Sequence, residues 1–194
     1  MAENARAHRT PSSEADIEAC TIGGARPHGG PVQLADYDAA WTELFTREAS
    51  RIKHLLGESA IRVEHVGSTS IPGLAAKPII DIILEVADSR DESSYVTPLE
   101  SHGYRLRIRE PDWFEHRVLK GPDTDINLHV FTVGCSEVGR MLTFRAHLRA
   151  NSSDRDLYEA KKRELAAREW AYIQNYADAK TAIIDEIMAR ATAG

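Results

Sequence analysis

The chain has 194 residues, of which 42% are hydrophobic and 28% charged, and its formal net charge is -6. This length accommodates one ordinary domain with a substantial core and leaves little room for a second. The acidic balance disfavours a protein whose whole surface grips nucleic acid, and no apolar run approaches the roughly 20 residues that span a bilayer. We therefore expect no membrane partner and a small or phosphorylated ligand.

The N-terminal composition predicts an extension followed by one domain. Residues 1–30 are rich in Ala, Ser, Gly, Pro and charge, without a sustained hydrophobic period, which is typical of a mobile segment. The domain is expected over residues 31–194. No apolar signal-peptide core is present, and Cys20 and Cys135 lack metal-ligand spacing and are too few for a disulfide framework. Reduced thiols in the cytoplasm are the expectation.

Hydrophobic periodicity predicts helices at both ends of the domain and strands between them. Such an order favours an α+β fold with one mixed, mostly antiparallel sheet packed by helices. The predicted elements are a helix over 36–57, strands over 61–66 and 79–86, a helix over 91–102, strands over 104–109, 113–120 and 125–132, and helices over 137–150, 154–171 and 176–191.

One carboxylate interrupts the second predicted strand. Asp81 lies in an apolar run, between Ile80 and Ile82. A buried carboxylate needs a metal, a base or a hydrogen-bond donor as its partner, or else its pKa rises. Glu85 shares its face but lies about 13 Å away along a regular strand, too far for the two to hold one ion. Asp81 is therefore the centre of the predicted site.

Gly67 and Ser68 directly follow the first predicted strand and form a candidate phosphate-binding bend. Glycine lets the backbone approach an anion closely, and the serine hydroxyl with nearby N–H groups can donate to it. Lys77, and Arg145 with Arg149 one helical turn apart, could add positive charge. The alternative for these three side chains is that they are ordinary surface cations.

Two histidines on predicted strands, His65 and His129, are candidate metal ligands. His129 shares a polar strand face with Asp125 and Asn127, which we expect to point into the same cleft as Asp81. Two histidines and a carboxylate suit a transition metal or a general base, whereas Asp81 with oxygen ligands suits magnesium. The alternative is that each histidine is a hydrogen-bonded core residue.

The stretch EHVGSTSIPGLAAKPIIDI, residues 64–82, resembles the central signature of the GrpB family. The resemblance extends over residues 31–191. The later positions that agree with the family are LHVF at 128–131, the segment 144–150, Tyr158, Lys161, Tyr176 and Lys180.

The GrpB family is similar to the DNA polymerase beta-like nucleotidyltransferases. Members of that superfamily hold a nucleoside triphosphate at a Gly-Ser turn and bind two magnesium ions through carboxylates on a following strand. The resemblance implies that Gly67, Ser68 and Asp81 take these roles here. Some family members are fused to dephospho-CoA kinase, which implies nucleotide or coenzyme handling.

Two positions depart from that pattern. Ile83 stands where the second strand carboxylate is expected, so His129 or Asp125 would have to replace it. Ala146 stands where the family helix usually has Asp. Losing an anionic ligand weakens a two-metal site, which needs both ions to stabilise the attacking and leaving oxygens.

Three functions are compatible with these residues. The first is a nucleotidyltransferase that moves a nucleoside monophosphate to a small acceptor with Mg²⁺ or Mn²⁺. In it, Asp81 and His129 are catalytic or metal-binding, and Gly67, Ser68, Lys77 and two arginines, Arg145 and Arg149, hold the phosphates. The second is a non-catalytic module that binds a nucleotide or a partner on the same scaffold. The third is a metal-dependent hydrolase built on His65, Asp81 and His129.

Overall fold

The centre of the molecule is a single five-stranded sheet. The computed structural model describes residues 11–193. The strands are β1 Arg62–Val66, β2 Ile80–Val86, β3 Arg105–Glu110, β4 His116–Lys120 and β5 Ile126–Thr132. The α-helices are α1 Glu14–Cys20, α2 Ala40–Leu56, α3 Val96–Glu100, α4 Ser136–Ala150, α5 Ser152–Ala166, α6 Ile173–Asp178 and α7 Thr181–Thr192.

The strand order is β1-β2-β5-β4-β3. Only β2 and β5 pair in parallel, and the other three neighbouring pairs are antiparallel. The predicted α+β class with a mostly antiparallel sheet is therefore confirmed. Because β2 and β5 run in the same direction, their first residues lie at the same end of the sheet's strands as the last residue of β1, Val66.

One face of the sheet is mostly apolar and packs against α2 and α3. Ile82, Leu84 and Leu128 are fully buried on this face, and Trp41 and Ile52 of α2 belong to the same cluster. Period-two alternation places their side chains on one side, and the amphipathic α2 covers them. This packing forms the main hydrophobic core.

The second face combines apolar and polar side chains. Val66, Ile83 and Phe131 form a smaller cluster with Val138 of α4. Asp81 lies on this face too, because it is the register partner of Val66. The polar positions of β2 and β5 thus lie beside a covered apolar patch, at one end of these two central strands.

Several predicted boundaries differ from the structure. The first long helix begins at Ala40, because the Asp38 side chain accepts the Ala40 N–H, whereas Asp36 pairs with Arg163. The predicted helix over 91–102 is a 3₁₀ turn followed by the short α3. In α3 Pro98 falls in the first turn, where proline is tolerated.

The strand predicted over 113–120 starts only at His116. Phe114 and Glu115 have positive φ values of 55° and 50°, which no extended strand allows. The helix predicted over 176–191 is divided into α6 and α7 by a break at residues 179–180.

A short helix, α1, lies in the segment for which the sequence predicted no regular element. Ser13 and Asp16 cap it reciprocally, and Ile17 is buried. Thr21 then bridges to Ile108 of β3, so this part of the chain covers the β3 edge. Residues 1–10 of the predicted extension lie outside the described residues. Over residues 11–193 no helix combines the length and apolar character needed to cross a membrane.

Candidate functional site

The chain bends directly after β1, at Gly67. This glycine has φ +67°, and a β-carbon built on it would lie 2.3 Å from Asp81 Oδ2. Any other residue would strain the backbone and collide with the carboxylate. A 3₁₀ turn at Ser68–Ser70 follows, and the Ser70 hydroxyl donates to the Gly67 carbonyl over 2.6 Å. Bend and carboxylate are therefore in direct contact.

Asp81 is held between two polar side chains of β5. The Asn127 amide donates to Asp81 Oδ1 over 2.7 Å, and His129 Nε2 lies 3.5 Å from the same oxygen. The side chain of Asp81 remains 29% exposed. Burial raises its pKa, but the contacts with His129 and Asn127 and the charge of Lys77 outweigh burial, so the pKa lies below its usual value. Asp81 is ionised at neutral pH.

Three lysines surround this carboxylate: Lys77, Lys162 and Lys180. Burial is the main cause that lowers the pKa of each, whereas the charge of Asp81 opposes the shift in all three. The pKa falls to about 7 for Lys162 and to about 8 for Lys180. The charge of Lys77 lowers the pKa of Lys180 further, and the charge of Lys180 lowers the pKa of Lys162. The charges of three lysines therefore act on Asp81, together with those of Asp125, Glu159 and Asp178 on the lysines themselves.

The lysines differ in how they are held. Lys162 is 2% exposed, and its ammonium donates to the Ala75 carbonyl. Lys180 Nζ lies 4.5 Å from the centroid of the Tyr176 ring, a cation–π contact. The Tyr176 hydroxyl is buried and has no hydrogen-bond partner within residues 11–193. This region therefore contains donors that no protein acceptor in the described residues satisfies.

Arg145 and Arg149 of α4 bond to the backbone next to the bend. Arg149 Nε and Nη2 both donate to the Ser70 carbonyl, over 2.9 and 2.6 Å. Arg145 Nη1 donates to the His65 carbonyl and to Glu64 Oε2, over 2.5 and 2.9 Å. Burial, and then the charge of Arg145, lower the pKa of Arg149. Both guanidinium groups thus bond to the backbone of β1 and of the turn, and Arg145 Nε is buried without a hydrogen-bond partner within residues 11–193.

His65 lies on the opposite face of β1 from the carboxylate. It is 5% exposed, stacks on Phe45 with ring centroids 4.7 Å apart, and Nε2 lies 3.1 Å from the Thr69 hydroxyl. Burial lowers its pKa to about 4, so the ring is neutral. The structure therefore holds His65 as a hydrogen-bonded core residue and does not bring it together with Asp81 and His129.

A second histidine, His116, extends the polar row beyond His129. His116 Nε2 lies 3.0 Å from His129 Nδ1, and His116 Nδ1 lies 2.7 Å from Glu110 Oε2. The planes of the two imidazole rings are 11° apart. Asp81, His129, His116 and Glu110 are therefore linked end to end; we refer to these four residues as the carboxylate–histidine chain.

The donor set does not build a metal site from protein side chains. Over residues 11–193 no group of three or more His, Cys, Asp or Glu side chains converges to hold an ion. Asp81 Oδ1 already accepts the Asn127 amide, and the buried apolar Ile83 fills the place of a second carboxylate. A hard cation requires several oxygen ligands. The residues expected to hold Mg²⁺ or Mn²⁺ therefore do not fit that ion.

A cavity of about 650 Å³ lies elsewhere, between α1, β3 and residues 172–174. Ile17, Arg107 and Trp113 contribute to its walls, but Gly67 and Asp81 do not. The candidate site is the bend and not this cavity, because Asp81 contacts the bend at Gly67.

The sequence identified the centre of this site but not all of its surroundings. Asp81 contacts the bend at Gly67, lies 3.5 Å from His129 Nε2 and is affected by the charge of Lys77. Lys162, His116 and Glu110 were missed as site residues. Lys162 follows the buried Tyr158 by four positions, one helical turn, and this spacing was the available signal. His116 and Glu110 are brought to the site by the pairing of β3, β4 and β5, and no local sequence pattern reveals that pairing.

The fold and the site define a class: an α+β protein with a mixed sheet and a glycine–serine bend against a strand carboxylate. The chain belongs to the GrpB family, because the family described as GrpB protein matches residues 31–190. The family prediction is thereby confirmed. A similarity to nucleotidyltransferases is compatible with this fold and stays a prediction.

Relatives cover nearly the whole chain. A UPF0157 protein of Halalkalibacterium halodurans is 60% identical over 184 residues, covering 95% of this chain and 94% of the relative. A UPF0157 protein of Streptomyces coelicolor is 46% identical and covers 89% of each chain. The crystal structure of the conserved protein GrpB from Enterococcus faecalis matches with a TM-score of 0.72 and 34% identity, over 82% of this chain and 96% of that one.

A shorter match joins the chain to a larger protein. A protein named dephospho-CoA kinase, of Mycolicibacterium paratuberculosis, is 40% identical over 77 residues, which is 38% of this chain and 19% of that protein.

Proposed function

We propose that this protein binds the phosphate chain of a nucleoside triphosphate at the Gly67–Ser68 bend and transfers the nucleoside monophosphate to a small acceptor. The observation that carries the proposal is the partly exposed Asp81 carboxylate, which contacts the bend at Gly67 and on which the charges of Lys77 and Lys180 act. The partial match to a protein named dephospho-CoA kinase is consistent with a nucleotide or coenzyme ligand.

The lysines support the binding half of this function. Burying ammonium groups close together is costly, and an anion between them would repay that cost. The ammonium of Lys77 makes no hydrogen bond or ion pair within residues 11–193, so it is available to a ligand. A phosphate chain beside the bend would contact Lys77 and Lys180 and would raise the pKa of both.

Asp81 and His129 support the transfer half. In the transfer, the acceptor oxygen bonds to the α-phosphorus, the bond to pyrophosphate breaks, and pyrophosphate leaves. The acceptor proton must go to a base next to the phosphorus. Asp81 is ionised, is 29% exposed and touches the bend, so it meets the geometric requirement for that base.

A second candidate is a binding module without catalysis, and Ile83 favours it. This side chain is fully buried in the place of the expected second carboxylate, so the scaffold would bind a nucleotide while lacking the groups for two-metal transfer. The hydrolase built on His65, Asp81 and His129 is not proposed further, because His65 lies on the other face of β1 and is bonded to Thr69.

The experiment that separates transfer from binding measures pyrophosphate release. Purified full-length protein is incubated with labelled nucleoside triphosphates and a panel of small acceptors, with and without Mg²⁺ or Mn²⁺. The transferase predicts pyrophosphate together with a labelled acceptor, and Asp81→Asn should reduce its formation by at least a hundredfold while the nucleotide still binds. The binding module predicts a nucleotide-dependent rise in melting temperature without pyrophosphate.

Lysine variants test where the phosphates bind. Lys77→Gln should weaken nucleotide binding at least tenfold. Lys161→Gln is the matched control, because Lys161 is exposed and already pairs with Glu164. Equal losses in the two variants, or no nucleotide binding by the wild type, would contradict the proposed function.

A further inference from the structure

The C-terminal helices bring two lysines and two tyrosines to the side of the bend. Tyr158 and Lys162 lie on α5, Tyr176 lies on α6, and Lys180 lies at the break between α6 and α7. Lys162 Nζ is 5.4 Å from the centroid of the Tyr158 ring, and Lys180 Nζ is 4.5 Å from that of Tyr176. Each ammonium is thus held over one tyrosine ring. We refer to Lys162, Tyr176 and Lys180 as the lysine–tyrosine group.

Electrostatic contacts locate this group next to the bend and its carboxylate. Burial is the main cause that raises the pKa of Tyr158, Tyr176 and Asp81 raise it further, and a hydrogen bond with Ser68 lowers it. The charge of Asp81 also acts on Lys162. Because such interactions decline with distance, the group lies within a short distance of both the Ser68 hydroxyl and Asp81.

The lysine–tyrosine group has more hydrogen-bond donors than the protein has acceptors for them. Tyr176 is 1% exposed, and its hydroxyl has no hydrogen-bond partner within residues 11–193. An ammonium carries three protons. Lys162 uses one for the Ala75 carbonyl, and the Lys180 ammonium makes no hydrogen bond among the described residues. An unsatisfied buried donor is costly, so an acceptor from outside the chain would stabilise the group.

The carboxylates that act on the two ammonium groups do not pair with them. Apart from Asp81, these carboxylates are Glu159 and Asp178. Glu159 pairs with Arg163, and Asp178 accepts the Gln174 amide. Within the described part of the chain, neither ammonium of the group forms an ion pair. Two unpaired ammonium groups match an anion with two negative charges.

We propose that the lysine–tyrosine group is a subsite for a terminal phosphate, the end group of a phosphate ester, beside the bend that takes the internal phosphates. A terminal phosphate has three acceptor oxygens and a charge of about -1.5 to -2 at pH 7, which matches three donor side chains and two ammonium groups. A carboxylate has only two oxygens and one charge. Lys180 and Asp81 are partly exposed, so an anion can approach from their side.

Two sources supply this chemistry, and the choice between them rests on the proposed function. The terminal phosphate is either the γ-phosphate of the nucleoside triphosphate or a phosphate carried by the acceptor. The first would fix the far end of the triphosphate away from Asp81. The second would restrict the acceptor to phosphorylated small molecules.

The test titrates inorganic phosphate into the ¹⁵N-labelled full-length protein at constant ionic strength, without a nucleotide. We expect saturable shifts of the Tyr176 and Lys180 amides, and no saturable shifts with acetate over the same concentrations. Unshifted amides at these two residues, or acetate binding as tightly as phosphate, would overturn the proposal.

Tyr176→Phe removes only the hydroxyl and keeps the ring beneath Lys180. It should weaken phosphate binding at least fivefold, yet it should not lower the melting temperature of the ligand-free protein, because the hydroxyl has no protein partner. Tyr95→Phe is the matched control, since Tyr95 is 0% exposed and its hydroxyl donates to the Ser89 carbonyl over 2.7 Å. This control should bind phosphate like the wild type and melt about 2–4 °C lower.

Two results with these variants would contradict the subsite. One is equal phosphate affinity in Tyr176→Phe and Tyr95→Phe. The other is an equal fall in their melting temperatures, which would show that the Tyr176 hydroxyl is already bonded within the protein.

Saturating ATP identifies the source of the phosphate. If the γ-phosphate occupies the subsite, ATP displaces inorganic phosphate. If the acceptor supplies the group, inorganic phosphate still binds beside ATP and shifts the same two amides. Both results support the subsite, and each assigns it to one source.

The subsite and the proposed function fail separately. Phosphate binding that depends on Tyr176, without any binding of ATP, contradicts the proposed function alone. ATP binding that depends on Lys77, together with phosphate binding that Tyr176→Phe leaves unchanged, contradicts the subsite alone.

Discussion

The two faces of β2 show how one strand separates stability from chemistry. On one face Ile82 and Leu84 are fully buried beneath α2. On the other, Asp81 is partly exposed and touches the Gly67 bend, where it meets two polar side chains and the charge of three lysines. Neighbouring residues point to opposite sides of a strand. A rigid apolar face can therefore position a charged group that would be unstable within the core.

The comparison predicts different consequences for substitutions on the two faces. A change on the apolar face should lower the free energy of unfolding and leave the protonation of the site intact in the folded fraction. A change on the polar face should alter ligand binding and cost little stability. The following substitutions are ordered by their expected effect on stability.

The largest effect is expected from Ile82→Ala. The substitution leaves a cavity in the main core, and it should lower the free energy of unfolding by about 2–5 kcal/mol in urea denaturation. Ile61→Ala is the control, since Ile61 is 49% exposed, and its cost should stay below about 1 kcal/mol. Equal costs would show that the apolar face is not the main source of stability.

Gly67→Ala should lower both the stability of the fold and the affinity for pyrophosphate. Alanine at φ +67° is strained, and its β-carbon would displace Asp81, so we expect a loss of about 1–3 kcal/mol together with weaker pyrophosphate binding. Gly73→Ala has a similar φ of +80° but no atom within 4 Å of the new β-carbon, so it tests strain alone. If both variants bind pyrophosphate as the wild type does, the bend is not the phosphate site.

Because the pKa of Lys162 is lowered in the folded protein, we expect the free energy of unfolding to rise with pH above neutrality. Its native pKa of about 7 lies below the ordinary 10.5, so between these values the unfolded chain binds more protons than the folded one. The free energy of unfolding should then increase from pH 7 to pH 9.5, by at least about 1 kcal/mol. Lys162→Met should flatten this dependence, whereas Lys161→Met should retain it. Identical slopes in the two variants would exclude Lys162 as the cause.

Because Lys180 loses its charge as the pH rises, we expect pyrophosphate binding to weaken with pH, opposite to the trend in stability. Its pKa is about 8, so pyrophosphate affinity measured by calorimetry should fall as the pH rises through 8 and the ammonium loses its proton. Lys180→Met should bind more weakly at pH 7 and lose this dependence. A pH profile unchanged by the substitution would place the phosphate elsewhere.

The smallest effect on stability is expected from Asp81→Asn. Asparagine keeps the contact with Asn127, so the cost should be below about 1 kcal/mol at pH 7. The native pKa of Asp81 is lowered, so its ionisation contributes stability above pH 3.8 that is lost as the pH falls through the native pKa. This acid-induced loss should be absent from the variant.

The same variant tests the magnesium prediction from the sequence. Without a metal, removing the carboxylate should strengthen pyrophosphate binding, because a like charge disappears. If Mg²⁺ instead strengthens binding by the wild type and not by Asp81→Asn, calorimetry would support a metal ion on Asp81.

The centre of the site could be predicted because its parts are close in sequence. Gly67, Ser68 and Asp81 lie within one short segment, and an acid in an apolar strand signals a partner by its cost. Period two placed Asn127 and His129 on the right face. These local rules also gave the mixed sheet and most of its strands.

The rest depends on contacts that no local pattern contains. Arg145 was predicted to add positive charge for the phosphates, and the contacts it makes with the His65 carbonyl and Glu64 come from the packing of α4 against β1. Lys162 is buried and Lys161 exposed, a difference set only by the rotation of α5. His116 reaches His129 because β4 pairs with β5, and the positive φ of Glu115 delays the start of β4 by three residues relative to the prediction.

The most direct test of the account is an amide spectrum of the ¹⁵N-labelled protein titrated with ATP at pH 7. The account predicts that the largest shifts occur at Gly67, Ser68 and Thr69, with smaller shifts around Lys77 and Lys180, and that Lys77→Gln weakens the titration at least tenfold. Shifts confined to the cavity beside α1, or no shifts at millimolar ATP, would contradict it.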